Sequence, residues 1–346
     1  MNQPSSHPTW NSLDGARALS IVCVMACHLL PLGPKTVFDL NIAAGQFGMA
    51  IFFSLSGFLI AHKLITERSL FEFAVSRFMR IFPLLWLFLL IDFAVRLPEI
   101  NIQTMAAHFL LVVNNFSDHY FRETEHLWSL CTEVHFYALA ALCVLMFKRA
   151  GLTLLVITGC MLSIYRFHEQ ALFNTSTLFR LDELLISLSL GLIWHSDSPA
   201  SRHCKKLLAT VNPFYAMVGL AVASLAPPSP VLFILRPYIA ALFVGSLIFN
   251  TQATTSQIMA SPTLTWLSHH AYALYIIHPF LLLTWLGSGD KITMYLKRPL
   301  LFVALFALAY LSTRYYEQFF VRLGKQWITH RRKAKTAMST RPAVSN

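Results

Sequence analysis

Two pairs of ionisable side chains are spaced so that each pair could act together. Arg17 and His28 lie eleven residues apart in the apolar stretch 16–33. Eleven residues make about three helical turns, so the two side chains share one face, roughly 16 Å apart along the axis. Arg77 and Arg80 lie three apart and also share a face. A buried imidazole can act as a general base, and two guanidinium groups on one face suit a phosphate or pyrophosphate.

Each pair also has a structural explanation. Arg17 could place its charge at a membrane surface, and His28 could be a hydrogen-bonded core residue. Arg77 and Arg80 could be ordinary basic anchors at the cytoplasmic end of a membrane helix. The segment FFSLSGFLI, residues 52–60, could serve close helix packing through its small side chains, or it could leave backbone room for a ligand.

Further polar groups lie deep in other apolar stretches. In HLWSLCTEVHFYAL, Glu133 lies roughly 9–10 Å from one end of a predicted helix, with Tyr137 one turn away on the same face. In YALYIIHPFLLL, His278 lies at about the depth of His28. A carboxylate at such depth needs a partner. The depths favour His28 as the partner of Glu133, with Tyr137 and His278 as the next candidates.

A third group of charges opens the sixth predicted span. Arg180, Asp182 and Glu183 start this helix, and Arg236 lies about 9 Å inside another helix from the same side. We expect one buried salt-bridge network. The alternative is a polar vestibule, in which Asp182, Glu183, Arg236 and also His278 would be candidates for contacting a substrate.

The composition indicates a membrane environment. Of the 346 residues, 56% are hydrophobic and 12% are charged, which is about half the charged fraction of a soluble domain. Helices are expected, because backbone groups in lipid must be paired internally. We predict an all-α, polytopic transmembrane bundle of about ten helices. The spans lie at about 16–33, 43–62, 80–96, 127–147, 151–166, 178–195, 213–227, 231–249, 269–286 and 299–320.

The distribution of basic residues predicts the orientation and the domain organisation. Loops rich in Lys and Arg favour a cytoplasmic N-terminus and C-terminus. We expect a short cytoplasmic N-terminus over 1–12, a membrane domain over 13–322 and a basic, disordered tail over 323–346. The net charge of +11 comes largely from helix ends and the tail, so no nucleic acid partner is expected. The six cysteines show neither disulfide nor zinc-ligand spacing, and no metal is expected.

Several pieces of the chain, taken in order, resemble the acyltransferase family 3 membrane proteins. They are LDGARALSIVCVMACH (13–28), FFSLSGFLI (52–60), SRFMRIFPLLW (76–86), HLWSLCTEVHFYAL (126–139), YALYIIHPFLLL (272–283) and the closing LSTRYYEQFF (311–320). The resemblance covers residues 13–320. It implies an enzyme of the bacterial cytoplasmic (inner) membrane that moves a short acyl group, usually acetyl, from cytoplasmic acyl-coenzyme A to a hydroxyl, often of a carbohydrate, on the extracytoplasmic side.

The resemblance also implies roles for single residues. The family's motifs match this sequence at Arg17 and His28, at Arg77 and Arg80, and at Glu133 and Tyr137. The arginines would hold the coenzyme A phosphates, His28 would be the general base, and Glu133 would orient its ring. Acyl-coenzyme A would be a co-substrate, with no tightly bound cofactor.

Two questions stay open at the level of sequence. A carrier or exporter of a sugar or acyl-sugar could use the same buried polar groups, although it would be expected to show inverted repeats, and none is evident. Some members of the resembling family carry an extra hydrolase-like domain, which the residues after 322 could not form. The chain would therefore act either alone or with a separate periplasmic or extracellular partner. The acceptor, the acyl length and the choice between direct and covalent transfer are left open.

Overall fold

The computed structural model describes residues 10–33, 37–67, 69–96, 100–116, 120–121, 123–171 and 174–339. Regular structure in these ranges is helical. The helices are α1 Asn11–Leu29, α2 Leu40–Thr66, α3 Leu70–Arg96, α4 Ile102–Phe109, α5 Trp128–Phe147, α6 Arg149–His168, α7 Asp182–Trp194, α8 Pro199–Thr210, α9 Pro213–Ala223, α10 Pro230–Phe249, α11 Thr254–Met259, α12 Pro262–Leu282, α13 Lys291–Leu296, α14 Arg298–Leu311 and α15 Gln318–Ser339. A π-helical turn, Ser312–Glu317, joins α14 to α15.

Seven helical stretches of the described residues are long and apolar enough to cross a membrane. They are α1, α2, α3, α5 with the turn before it, α6, α10, and the continuous stretch from α14 into α15. Helices α8 and α9 meet the same test together, but they are bent by 87°, so counting them as one span raises the number to eight. The all-α, multi-pass architecture is confirmed. The count of ten spans and the cytoplasmic placement of both termini stay predictions.

The predicted spans that fall outside this set have specific reasons for doing so. Helix α7 has 13 residues, a length of about 20 Å, which is shorter than a hydrocarbon core of about 30 Å. Helix α9 has 11 residues. Helix α12 has 21 residues, but polar side chains such as Ser268, His269 and His270 lower its mean hydropathy. Helices α7 and α12 nevertheless pack inside the bundle, against α2 and α1 respectively.

Directions in the bundle are given relative to α1. We call the end at which α1 begins the N-side and the opposite end the far side. Helices α1, α3, α6 and α12 run from the N-side to the far side, and α2, α5, α7 and α10 run back.

Small residues of α2 bring it close to its neighbours. A Cβ added at Gly57 would lie 2.3 Å from the Leu184 carbonyl oxygen of α7, and the Ser187 hydroxyl donates to Ser54 Oγ over 2.8 Å. The packing interpretation of segment 52–60 is therefore confirmed for these two positions. Ser56 differs, because it donates to the Glu133 carboxylate.

The basic end of the chain differs from its prediction. We expected disorder over 323–346, whereas helix α15 continues to Ser339, and residues 340–346 lie outside the described residues. The helix has apolar side chains that pack on α3, as in the edge-to-face contact of Trp327 with Phe71. Arg332 adds an ion pair with Glu72 of α3. The high charge of this segment suggested disorder, although packing on α3 stabilises a helix here.

Candidate active site across the helix bundle

His28 and His278 form a hydrogen-bonded pair near the far side. The Nδ1 of His28 lies 2.8 Å from the Nε2 of His278, and the rings are stacked with centroids 5.0 Å apart. The Nδ1 of His278 lies 2.8 Å from the Tyr275 carbonyl oxygen. A carbonyl only accepts, so His278 carries its proton on Nδ1 and, when neutral, accepts at Nε2. His28 then donates from Nδ1, and its Nε2 is left unprotonated, as a general base requires.

The local sequence explains how each ring is held. Pro279 has no N–H, so the Tyr275 carbonyl, four residues earlier, has no helical donor and is free to accept from His278. His28 lies in the last turn of α1, where the Asn41 amide donates to the Cys27 and Leu30 carbonyl oxygens over 2.9 and 2.6 Å. These bonds satisfy carbonyl groups that a helix end leaves without partners. The His278 ring is thus held by a backbone contact of its own helix, and Asn41 holds the end of α1 that carries His28.

The predicted contact between Glu133 and His28 is wrong. The Glu133 carboxylate accepts from Ser56 Oγ over 2.8 Å and from the Tyr137 hydroxyl, while His28 Nδ1 is bonded to His278. Depth along the helices suggested His28, but α1 packs against α2 and α12, whereas α5 packs against α6 and α2. The carboxylate therefore meets α2 and its own helix. Its partners are Tyr137, which was the second candidate, and Ser56.

A cavity of about 310 Å³ opens on the N-side of the bundle and brings the predicted donor-binding residues together. Arg17 donates to Asp14 over 2.9 Å and to Ser268 over 3.3 Å. Arg77 lies 5.4 Å from the centre of the Tyr137 ring. Among the described residues, neither Arg77 nor Arg80 forms an ion pair with a carboxylate. The lining includes Arg17, Ser56, Lys63, Arg77, Arg80, Glu133, Tyr137, Tyr272 and Tyr275.

His28 lies in a second group of cavities, on the far side. Two of these, of about 400 and 260 Å³, are both lined by Cys27, His28, Glu125, His126 and Trp128. The smaller one shares three lining residues with the N-side cavity: Val24, Met49 and Tyr275. The cationic cavity and the histidine cavity are therefore neighbours across these three side chains. Along α1, Arg17 lines the cationic cavity and His28 lines the histidine cavity, and the two residues are about 16 Å apart.

The predicted salt-bridge network is present and fully buried. Arg236 lies 2.6 Å from Glu183, and Arg180 lies 4.0 Å from the same carboxylate. Asp182 pairs instead with Arg166, over 2.6 Å. The predicted fifth span ended at Arg166, and the predicted network did not include this residue, but α6 continues to His168 and Arg166 is buried. Arg180 also lines a far-side cavity, so the network supports the wall of this cavity.

We expect that breaking this network destabilises the fold. Arg166→Ala leaves Asp182 as a buried charge without its partner, which typically costs about 3–5 kcal/mol. Thermal unfolding of the purified protein in lipid nanodiscs measures the effect. Arg202→Ala, at an exposed position of α8, is the control and should change stability by less than about 0.5 kcal/mol. An Arg166→Ala protein as stable as wild type would contradict the role of the network. Arg166→Met/Asp182→Leu should recover stability, because both members of the pair are removed and neither is left as an unpaired buried charge.

Sequence reasoning also missed His126. Its ring is 6% exposed, lies 5.4 Å from the His278 ring, and has two nitrogens without hydrogen-bond partners. The Tyr275 hydroxyl contacts the His126 carbonyl oxygen and also lies 2.8 Å from Ser129 Oγ. The signal was available in the stretch HLWSLCTEVHFYAL, because a histidine that begins an apolar helix is unusual.

The chain is similar to known acyltransferases. The family model described as an acyltransferase domain matches residues 10–314. The peptidoglycan O-acetyltransferase OatA of Listeria monocytogenes serovar 1/2a is 26% identical over 318 residues, covering 79% of this chain and 49% of that protein. The O-acetyltransferase OatA of Staphylococcus aureus strain NCTC 8325 is 27% identical over 244 residues, covering 61% of this chain and 39% of that protein.

The family model matches most of this chain, whereas the chain covers only part of each relative. The chain spans about half the length, or less, of the curated relatives it matches. No solved structure matches. The family match covers nearly all of the described residues, from α1 into the π-helical turn. The chain therefore belongs to the acyltransferase family 3 of membrane proteins.

Proposed function

We propose that this chain is a membrane O-acetyltransferase that takes an acetyl group from acetyl-coenzyme A on the N-side and delivers it to a carbohydrate hydroxyl on the far side. The observation that carries the proposal is the position of the His28–His278 pair, in a far-side cavity that adjoins the cationic N-side cavity. The printed activity of the relatives, O-acetyl transfer, supports acetyl as the group. A bacterial cytoplasmic membrane, with the N-side facing the cytoplasm, completes the proposal.

The donor end is argued from charge. Arg77 and Arg80 have no carboxylate partner in the part of the chain that the structure describes, so their guanidinium groups are available to phosphate oxygens. Arg17 and Lys63 add positive charge to the same cavity, although each already contacts a carboxylate. The extended pantetheine arm of coenzyme A would pass between Val24, Met49 and Tyr275 and bring the thioester to His28. Coenzyme A enters as a co-substrate, and the proposal requires no resident cofactor.

The chemistry follows from the protonation of the histidine pair. The Nε2 of His28 takes the proton of the acceptor hydroxyl as its oxygen forms a bond to the thioester carbonyl carbon. The imidazolium that results is stabilised by its Nδ1–H bond to His278. The tetrahedral intermediate collapses, the carbon–sulfur bond breaks, and the leaving thiolate takes the proton from His28. The products are the acetyl ester and free coenzyme A, and His28 returns to its starting form.

Glu133 receives a different role from the one the sequence predicted. Together with Ser56 and Tyr137 it lines the donor cavity, and the Tyr137 ring carries Arg77 on its face. The carboxylate therefore positions Tyr137, and through it Arg77, rather than orienting the base. Peptidoglycan appears in the name of the Listeria relative and is one candidate acceptor.

The proposal is tested by the sidedness of the reaction. The protein is reconstituted into vesicles, its orientation is determined by protease protection of a C-terminal tag, and radiolabelled acetyl-coenzyme A is supplied on one side only. Methyl β-D-glucopyranoside on the opposite side should become labelled only when the donor is on the N-side. His28→Ala vesicles are the control for background acetylation. Labelling that requires donor and acceptor on the same side would overturn the transmembrane relay, and sugar transport without acetylation would overturn the enzyme.

A further inference from the structure

The far-side cavities contain polar side chains that the histidine pair does not use. Glu125 and Trp128 line the two cavities that contain His28 and also a third cavity, of about 520 Å³. The third cavity adds Asn114 and Tyr120 to its wall. These four residues, which we call the polyol subsite, connect the outside of the far-side surface to His28.

Asn114 is buried and Tyr120 is partly buried, and each has a buried polar atom without a hydrogen-bond partner. Asn114 is 4% exposed, and its amide nitrogen donates to Thr177 Oγ1 over 2.8 Å. The same nitrogen faces the Thr175 carbonyl, which only accepts and so fixes the orientation of the amide. The Asn114 carbonyl oxygen is left without a partner, and so is the Tyr120 hydroxyl. Buried polar groups are normally hydrogen-bonded, so an orphaned pair beside a cavity indicates a ligand that supplies the missing bonds.

The third member is a carboxylate that is open to the cavity. Glu125 is exposed, and its carboxylate forms no ion pair or hydrogen bond with the described residues. An ionised carboxylate only accepts hydrogen bonds, as does the Asn114 carbonyl oxygen. Next to them lies the half-buried indole of Trp128, an apolar surface. A ligand that fits this wall must bring several donors and an apolar ring face.

The charged residues that line the three cavities restrict the charge that a ligand can carry. Among the described residues that line these three cavities, the carboxylates are Glu123 and Glu125, and Arg180 supplies the cation of the Lys/Arg class. The Arg180 guanidinium is 4.0 Å from Glu183 and 4.9 Å from the centre of the Trp128 ring, so it is already engaged. A ligand with a carboxylate or phosphate beside its reacting hydroxyl would be repelled by Glu125.

We infer that the polyol subsite binds an uncharged sugar ring, with its hydroxyls donating to Glu125 and Asn114 and its apolar face on Trp128, and that Glu125 excludes acidic sugars. The inference deepens the proposed function, because it assigns the acceptor class and the residues that select it. A neighbouring hydroxyl of the same sugar ring would then lie in the cavities that His28 lines.

The test uses binding in the absence of donor, so that it does not depend on catalysis. The two probes are methyl β-D-glucopyranoside and methyl β-D-glucopyranosiduronate, which differ in a single group, CH₂OH against carboxylate. Saturation-transfer NMR with the protein in zwitterionic nanodiscs should show the glucoside binding at least about tenfold more tightly than the glucuronide. Glu125→Gln should weaken glucoside binding about tenfold and remove most of the discrimination. Glu169→Gln, an exposed carboxylate after the far-side end of α6, should change neither.

The binding and acetylation results distinguish a failure of the subsite from a failure of the proposed enzyme. Equal binding of the two probes to the wild type, no binding of the glucoside, or an unchanged preference in Glu125→Gln would overturn the subsite. Binding with the expected preference, but with no acetylation of the glucoside once acetyl-coenzyme A is added, would support the subsite and count against the proposed enzyme. Glu125→Gln decides the inference without disturbing the fold, because it preserves the shape of the side chain.

Discussion

Replacing His28 with alanine is expected to lower kcat for acetyl transfer by about 10²–10⁴-fold, the usual contribution of a general base. His278→Ala should cause a loss of similar size, because the ring that accepts from His28 Nδ1 and holds it in the productive tautomer is removed. The double variant should be little worse than either single variant, since residues that act as one unit are not additive. Turnover of radiolabelled acetyl-coenzyme A with a glycoside acceptor measures all three variants.

The controls separate chemistry from folding. His269→Ala removes an exposed imidazole from the same helix as His278 and should leave kcat unchanged. The donor KM should also stay near the wild-type value in His28→Ala and His278→Ala, because neither residue lines the N-side cavity. A well-folded His28→Ala protein with normal turnover would remove His28 from the mechanism. Additive losses would mean that the two histidines act separately.

The second large effect is expected at the donor site. Arg77→Ala/Arg80→Ala should raise the KM for acetyl-coenzyme A by about 10–100-fold, since each hydrogen bond to a charged group contributes about 1.5–3 kcal/mol and part of this is lost to solvent screening. The effect should be larger at low ionic strength, where charge attraction is less screened. The value of kcat should change little, because the arginines hold the phosphates and not the reacting carbon.

The matching control for the arginines is Arg202→Ala/Lys206→Ala. These two residues also lie close together on one helix, α8, and both are exposed. They are absent from the lining of the N-side cavity, so removing their charge should not alter the donor KM. A donor KM that is unchanged in the Arg77/Arg80 variant, or raised equally in both variants, would leave Arg77 and Arg80 as ordinary membrane anchors.

What the sequence determined is local to single helices. The eleven-residue spacing of Arg17 and His28 and the three-residue spacing of Arg77 and Arg80 set a common face and a relative depth, because a helix has a fixed rise and rotation per residue. The same arithmetic placed Glu183 and Arg236 at matching depth, and the structure confirms their ion pair. The apolar runs likewise determined the all-helical, multi-pass architecture.

Only the tertiary structure decided which side chain lies opposite another. Depth alone allowed Glu133 or His278 beside His28, and the choice depended on the packing of α1 against α12, which involves residues about 250 positions apart. Arg166 was missing from the predicted network because it stood at the uncertain end of a predicted span, whereas α6 continues to His168 and Arg166 pairs with Asp182 of α7. The partners of buried polar groups are set by contacts between helices, and helical periodicity carries no information about which helix is the neighbour.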